Sequence, residues 1–234
     1  MSEVWIVVDE VVDAQVASTS TTHQMVQALL QAINPVTPVN VQVVAASSLA
    51  QAGNAVSDRL TKKEVCDQEN ILLCPLTLNL PDNIKFPASG IYQACRDVTK
   101  LRHQTQELGY ATGDGSFWLS IVLTAKGPLY AEVIGLKENK YYQPIHVADE
   151  VRQVLYQMGW KVLLKLNATP ATYLMQFGFE GKDIYFDKLL PFPGEAAIAS
   201  IGIQSPDLFA CHWQCLMGLP LFELTIRREE TQLN

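Results

Sequence analysis

Val4-Trp5-Ile6-Val7-Val8, followed at once by Asp9-Glu10, decides how this chain is read. Five consecutive apolar residues rich in β-branched side chains match a strand covered on both faces, as in a parallel sheet. The two carboxylates end it. Working outward, a Ser/Thr-rich stretch from Ser18 to Thr22 leads into Met25, Ala28, Leu29, Ala32 and Ile33 at helical spacing. Thr21 and Gln24 are placed as a capping box, and Asn34-Pro35 is the stop. Val39 to Ala46 predicts a second strand, Leu49 to about Glu64 a helix with a break at Gly53, and Ile71 to Leu78 a third strand. Ile91, Ala94, Cys95, Val98, Leu101, Thr105 and Leu108 keep a helical period as far as Gly109, which predicts one long helix. Alternation of strands and helices predicts an α/β fold whose N-terminal half is a mainly parallel sheet under covering helices.

The pattern changes from Gly113-Asp114-Gly115 onward, a group that reads as a tight turn. Phe117 to Ala125 and Leu129 to Leu136 flank Lys126-Gly127-Pro128 as a hairpin. Val147, Val151, Val154, Leu155 and Met158 make an amphipathic helix closed by Gly159, and Val162 to Leu166 follows as a strand. A second hairpin joins Tyr173 to Phe179 with Ile184 to Leu190. Ser205-Pro206 starts a helix running to about Met217, and Leu221 to Ile226 makes a last strand. The expected organisation is a βαβαβα unit over residues 1–112 and a mixed or antiparallel α+β unit over 113–234, with one continuous domain as the alternative.

The chain has 234 residues, 48% of them apolar, enough to bury a self-sufficient core. No apolar run approaches the roughly 20 residues that span a bilayer. Met1 to Glu10 holds no Lys or Arg and only a short apolar core, so export is not expected. Cys66, Cys74, Cys95, Cys211 and Cys215 form an odd, irregularly spaced set, which argues for free thiols in the reducing cytoplasm. With 17 basic against 24 acidic residues, the net charge of −7 repels polyanions and argues against a nucleic-acid partner.

Two places can carry chemistry. In open α/β sheets, ligands bind beyond the carboxyl ends of the strands, where a helix N-terminus offers unpaired amides. Asp9, Glu10, Asp13, Ser18, Thr19, Ser20, Thr21, Thr22 and His23 all fall in the first strand-to-helix connection. The ligand-binding candidates are Asp9, Ser20, Thr21, Thr22 and His23: hydroxyls for a phosphate or carboxylate, Asp9 for a metal or as a base. Against this, no glycine-rich phosphate loop is present, three acidic residues oppose an anion, and Ser and Thr cap helices for structural reasons.

The second place is Cys211-His212-Trp213-Gln214-Cys215, where thiols and an imidazole supply zinc ligands or a nucleophile with its base. Cys211 and Cys215 lie one turn apart on one helix face, which suits two buried small side chains equally well, and no second ligand pair accompanies them. His212 points about 100° away from Cys211 and cannot activate it. Arg96, Lys100, Arg102 and His103 suggest a modest basic helix face, with a solvated surface as the plainer reading. Catalytic signatures are absent and no motif calls for a cofactor. The expectation is therefore a non-catalytic interaction or assembly protein, a homodimer or the partner of another protein through the second-half hairpin edges. An enzyme or small-ligand binder using the crevice after the first strand is the alternative, and a Cys211/Cys215 metal or redox site a third.

Overall fold

A computed structural model describes residues 3–10, 20–33, 39–49, 71–180 and 183–226. Beyond Leu49, the helix expected as far as Glu64 falls outside the described residues, as do Asp13, Ser18 and Thr19. Strand β1 (Glu3–Val8) lies between β2 (Asn40–Ala45) and β3 (Ile71–Pro75), all parallel. Val4, Ile6, Val7 and Val8 are buried because a central strand covered on both faces gives water to neither. Helix α1 (Thr21–Ile33) crosses from β1 to β2 and buries Met25, Val26, Ala28, Leu29 and Ile33.

After β3, Arg96 ties the chain down at three points. Arg96 donates from Nε to the carbonyl of Leu78 (3.0 Å), from Nη2 to that of Leu80 (2.6 Å) and from Nη1 to the Asp82 carboxylate (2.8 Å). The single long helix expected here is two, α2 (Ser89–Arg96) and α3 (Val98–Glu107). Asp97 breaks it: its backbone leaves the helical region (φ −91°, ψ 83°) and its carboxylate accepts from the Lys100 amide, capping α3. Asp competes with the helix for backbone donors, and the apolar stripe survives the break because Cys95, Leu101 and Thr105 still face inward.

The second half carries its own sheet, in the order β4-β10-β9-β5-β7-β8, with β6 also on β5. Its strands are β4 (Ala111–Thr112), β5 (Phe117–Thr124), β6 (Gly127–Tyr130), β7 (Val133–Lys137), β8 (Lys140–Ile145), β9 (Ala171–Glu180) and β10 (Asp183–Leu190). β4 runs parallel to β10 and the other pairings are antiparallel, so the whole is an α/β fold with parallel and mixed sheets. The expected strand over Leu129 to Leu136 is broken at Ala131-Glu132, and β6 and β7 pair with different parts of β5. The second hairpin forms as expected; β9 is flanked by β5, and β10 carries the two-residue β4 along Tyr185 and Phe186.

Helix α4 (Asp149–Lys165) runs through Gly159 instead of ending there, so the expected strand from Val162 to Leu166 is the last turn of the helix and its C-cap, Leu166. Gly159 is a packing residue: a Cβ there would meet Ile121 of β5 at 2.4 Å. On the opposite sheet face, α5 (Leu208–Leu216) packs on β9, β5 and also α1, so both layers close on one helix. Its cap is Asp207, which accepts from the amides of Phe209 and Ala210 at 2.9 Å, two residues beyond the expected Ser205 start. Only Thr225–Ile226 of the expected last strand pairs, as β12, with β11 (Gln204–Ser205).

Gly113-Asp114-Gly115 does more than turn the chain. A Cβ on Gly115 would lie 2.1 Å from the carbonyl of Phe177 in β9, and that backbone cannot yield. Gly115→Ala is expected to lower the unfolding free energy by about 2–3 kcal/mol, whereas Gly90→Ala, facing open space in α2, leaves it unchanged or raises it. Urea denaturation of the two variants checks this.

Candidate functional site

β1 and β3 leave the sheet side by side, and the Leu76 amide still donates to the carbonyl of Val7 (2.8 Å) past the end of β3. The connection from β1 leads to β2 on one flank while β3 sits on the other, which makes this the point where an open sheet leaves a crevice. Asp9 stands there, exposed. Its Oδ1 accepts from Thr77 Oγ1 (2.5 Å) and from Asn79 Nδ2 (2.8 Å), while the Asn79 amide donates to Thr77 Oγ1 (2.9 Å). Oδ2 has no partner among the described residues. The carboxylate is thus aimed by two neighbours, and among the described residues its second oxygen is left to accept from a hydroxyl, an amine or an amide.

Helix α1 starts from the same end of the sheet. Its cap is Ser20, one residue before the expected Thr21: Ser20 Oγ accepts from the His23 amide (3.2 Å), and its carbonyl from the Gln24 amide (3.1 Å). Capping occupies that hydroxyl. Thr21 and Thr22 are half-buried in the first turn and His23 is exposed. No acidic residue lies in that turn, so the partial positive charge of the helix end is not offset from within the helix. Thr77 and Asn79 were not singled out in the sequence; they follow β3 as Asp9 follows β1, a signal readable only once the two strands are placed in parallel register.

Cys211 and Cys215 are buried in α5, and burial pushes both thiols up, Cys215 to about 12. Cys74 and Cys95 are likewise pushed up to about 12. No group of three metal-ligating side chains occurs among the described residues. His212 does not serve either thiol: its Nδ1 accepts from the Thr172 amide of β9 (3.2 Å), and burial pushes its pKa down to about 3. The basic face on α2 and α3 is largely structural. Besides the Arg96 clamp, Arg102 Nη2 donates to Asp114 (2.6 Å) and to Asp187 (2.5 Å), which a bulge in β10 turns toward it.

No protein-family model matches the chain, and no curated protein matches it in sequence. Solved structures match in fold. N5-carboxyaminoimidazole synthetase from Staphylococcus aureus complexed with ADP has a TM-score of 0.69 at 9% identity, covering 96% of this chain and 80% of that one. Carboxyaminoimidazole ribonucleotide synthase from Aspergillus clavatus complexed with ATP has a TM-score of 0.68 at 10% identity, covering 94% and 78%. A structure described as glycinamide-RNase-transformylase T from Mycobacterium tuberculosis has a TM-score of 0.62 at 14% identity, covering 94% and 80%. The fold is shared with enzymes, two of them crystallised with an adenine nucleotide, and this overturns the expectation of a non-catalytic assembly protein.

Two measurements follow. Cys74, Cys95, Cys211 and Cys215 are expected to resist a thiol reagent at pH 8 until the protein unfolds; rapid native labelling of Cys211 or Cys215 would revive a redox role. For His212, the folded pKa of about 3 lies below the unfolded value of 6.5. The stability of burying it neutral is present above pH 6.5 and lost as pH falls toward 3. Urea titrations should show a slope of up to about 1.4 kcal/mol per pH unit from this group, absent in His212→Gln.

Proposed function

We propose that this chain is an enzyme or small-ligand binder that holds a polar, anionic small molecule in the crevice beyond β1 and β3, with an adenine nucleotide as the class to test first. The observation that carries the reading is the Asp9 carboxylate, oriented by Thr77 and Asn79 and left with one open oxygen. An oriented carboxylate at the same end of the sheet as a helix N-terminus with no acidic residue in its own first turn suits a ligand with hydroxyl or amino donors at one end and a negative group at the other. Asp9 takes the donors, and the first-turn amides of α1 with Thr21 and Thr22 take the anion. His23, exposed on the same turn, is within the same surface. The ADP and ATP held by enzymes of this fold support the choice of ligand class. Acidic charge and free thiols support a cytoplasmic setting. Among the described residues, no helix is long and apolar enough to cross a membrane.

Isothermal titration of the full chain with ADP, ATP and ribose 5-phosphate, each with and without Mg²⁺, tests this. Saturable binding is expected for at least one of them. Asp9→Ala should weaken it by about 10- to 100-fold, the range for a lost hydrogen bond to a charged group. Thr22→Ala should weaken it several-fold, and both variants should keep the wild-type melting temperature. Unchanged affinity in both variants would place the ligand elsewhere.

A further inference from the structure

The segment that aims Asp9 has little backbone structure of its own. The Leu76 amide is the last of this stretch to bond β1, and the next backbone bond runs from the Ile84 amide to the Pro81 carbonyl (3.1 Å). Thr77, Leu78, Asn79 and Leu80 lie in no helix or strand, and among the described residues no backbone-to-backbone hydrogen bond holds them. Asn79 is exposed, so packing does not fix it either. Its Nδ2 nevertheless meets Asp9 Oδ1 at 2.8 Å.

Arg96 supplies the missing restraint. Its Nε and Nη2 donate to the carbonyls of Leu78 and Leu80, the residues on either side of Asn79, and its Nη1 donates to Asp82. A guanidinium is planar with donors in fixed directions, so acceptors on three of its nitrogens are held in a relative geometry that a single ammonium does not impose. The base of the side chain is anchored as well. Arg96 closes α2 directly after the buried Cys95, and Tyr92 of the same helix donates to the Pro75 carbonyl at the end of β3 (2.9 Å). Helix α2 is therefore pinned to the strand from which the segment departs. Asp82 is 80% exposed, so its ion pair adds little, and the two carbonyl bonds are the ones that shape the segment.

We propose that Arg96 is a positioning residue of the Asp9 site: by gripping the backbone on both sides of Asn79, it sets the Asn79 amide against Asp9 Oδ1 and so aims the carboxylate at the ligand. The proposal rests on the reading of the crevice as a binding site. The coupling from Arg96 to Asn79 belongs to the protein alone and is measured without a ligand.

The test follows the Asn79 side-chain amide by NMR in the ¹⁵N-labelled full chain and titrates the same samples with ADP and Mg²⁺. In the wild type the Asn79 Nδ2 proton facing Asp9 should lie downfield; Asp9→Ala and Arg96→Met should both move it upfield. Arg96→Met should weaken ADP by about tenfold. The Asp9→Ala/Arg96→Met double variant should bind no more weakly than Asp9→Ala alone, because Arg96 acts through that carboxylate. Gly115→Ala, destabilised by its clash with β9, should keep both the resonance and the affinity, which separates positioning from lost stability. An Asn79 resonance unmoved in Arg96→Met, or losses that add in the double variant, would overturn the proposal. If Arg96→Met does not fold, Arg96→Lys should displace the resonance part of the way, and no displacement overturns it. Wild-type protein that does not bind ADP counts against the reading of the crevice, while the resonance still decides the coupling.

Discussion

Helix α5 is apolar on almost every side, and the rest of the molecule is arranged to bury it. Leu208, Phe209, Cys211, His212, Trp213 and Cys215 leave no polar face, so the helix has no stable position except between two layers. One side meets α1 and the other meets β9 and β5. Full burial of each large side chain is worth about 1.5–3 kcal/mol, so Leu208, Phe209 and Trp213 alone make this one of the strongest apolar contacts in the fold. Remove the wedge and α1 loses the contact that joins it to the larger sheet. His212 is carried into that junction and fixed by the Thr172 amide.

What the sequence made legible follows from how locally each signal is encoded. Val4 to Val8 could be read as a doubly covered strand because burial on both faces demands an unbroken apolar run, and the same holds for the parallel neighbours. The structure departs from the sequence pattern where one residue type has two uses. A glycine at the end of an amphipathic run signals a helix stop, yet Gly159 lets α4 approach Ile121. Asp97 lies inside a continuous apolar period, although its short carboxylate caps the following helix. Gly115 looked like a turn residue and is required by contact with the β9 backbone, which no local pattern reveals.

The candidate site was half legible. Asp9 could be singled out because position after a first strand is a statement about topology. Its partners Thr77 and Asn79 lie 68 and 70 residues away, and only the parallel register brings them to it. Ser20 carries a hydroxyl that was weighed for ligand binding and is used in capping. The Cys211-Cys215 cluster offers residue types whose chemistry burial suppresses, and the histidine between them is held by the Thr172 amide. The cavity between β3, α2, β9 and α5 is assembled from five separated segments and has no local signature.

An experimental structure of the chain grown with ADP tests the central functional claim most directly. The account predicts the nucleotide within hydrogen-bonding distance of Asp9 Oδ2, with its phosphates at the first turn of α1. Nucleotide bound against the face of the larger sheet, with Asp9 still held only by Thr77 and Asn79, would contradict it.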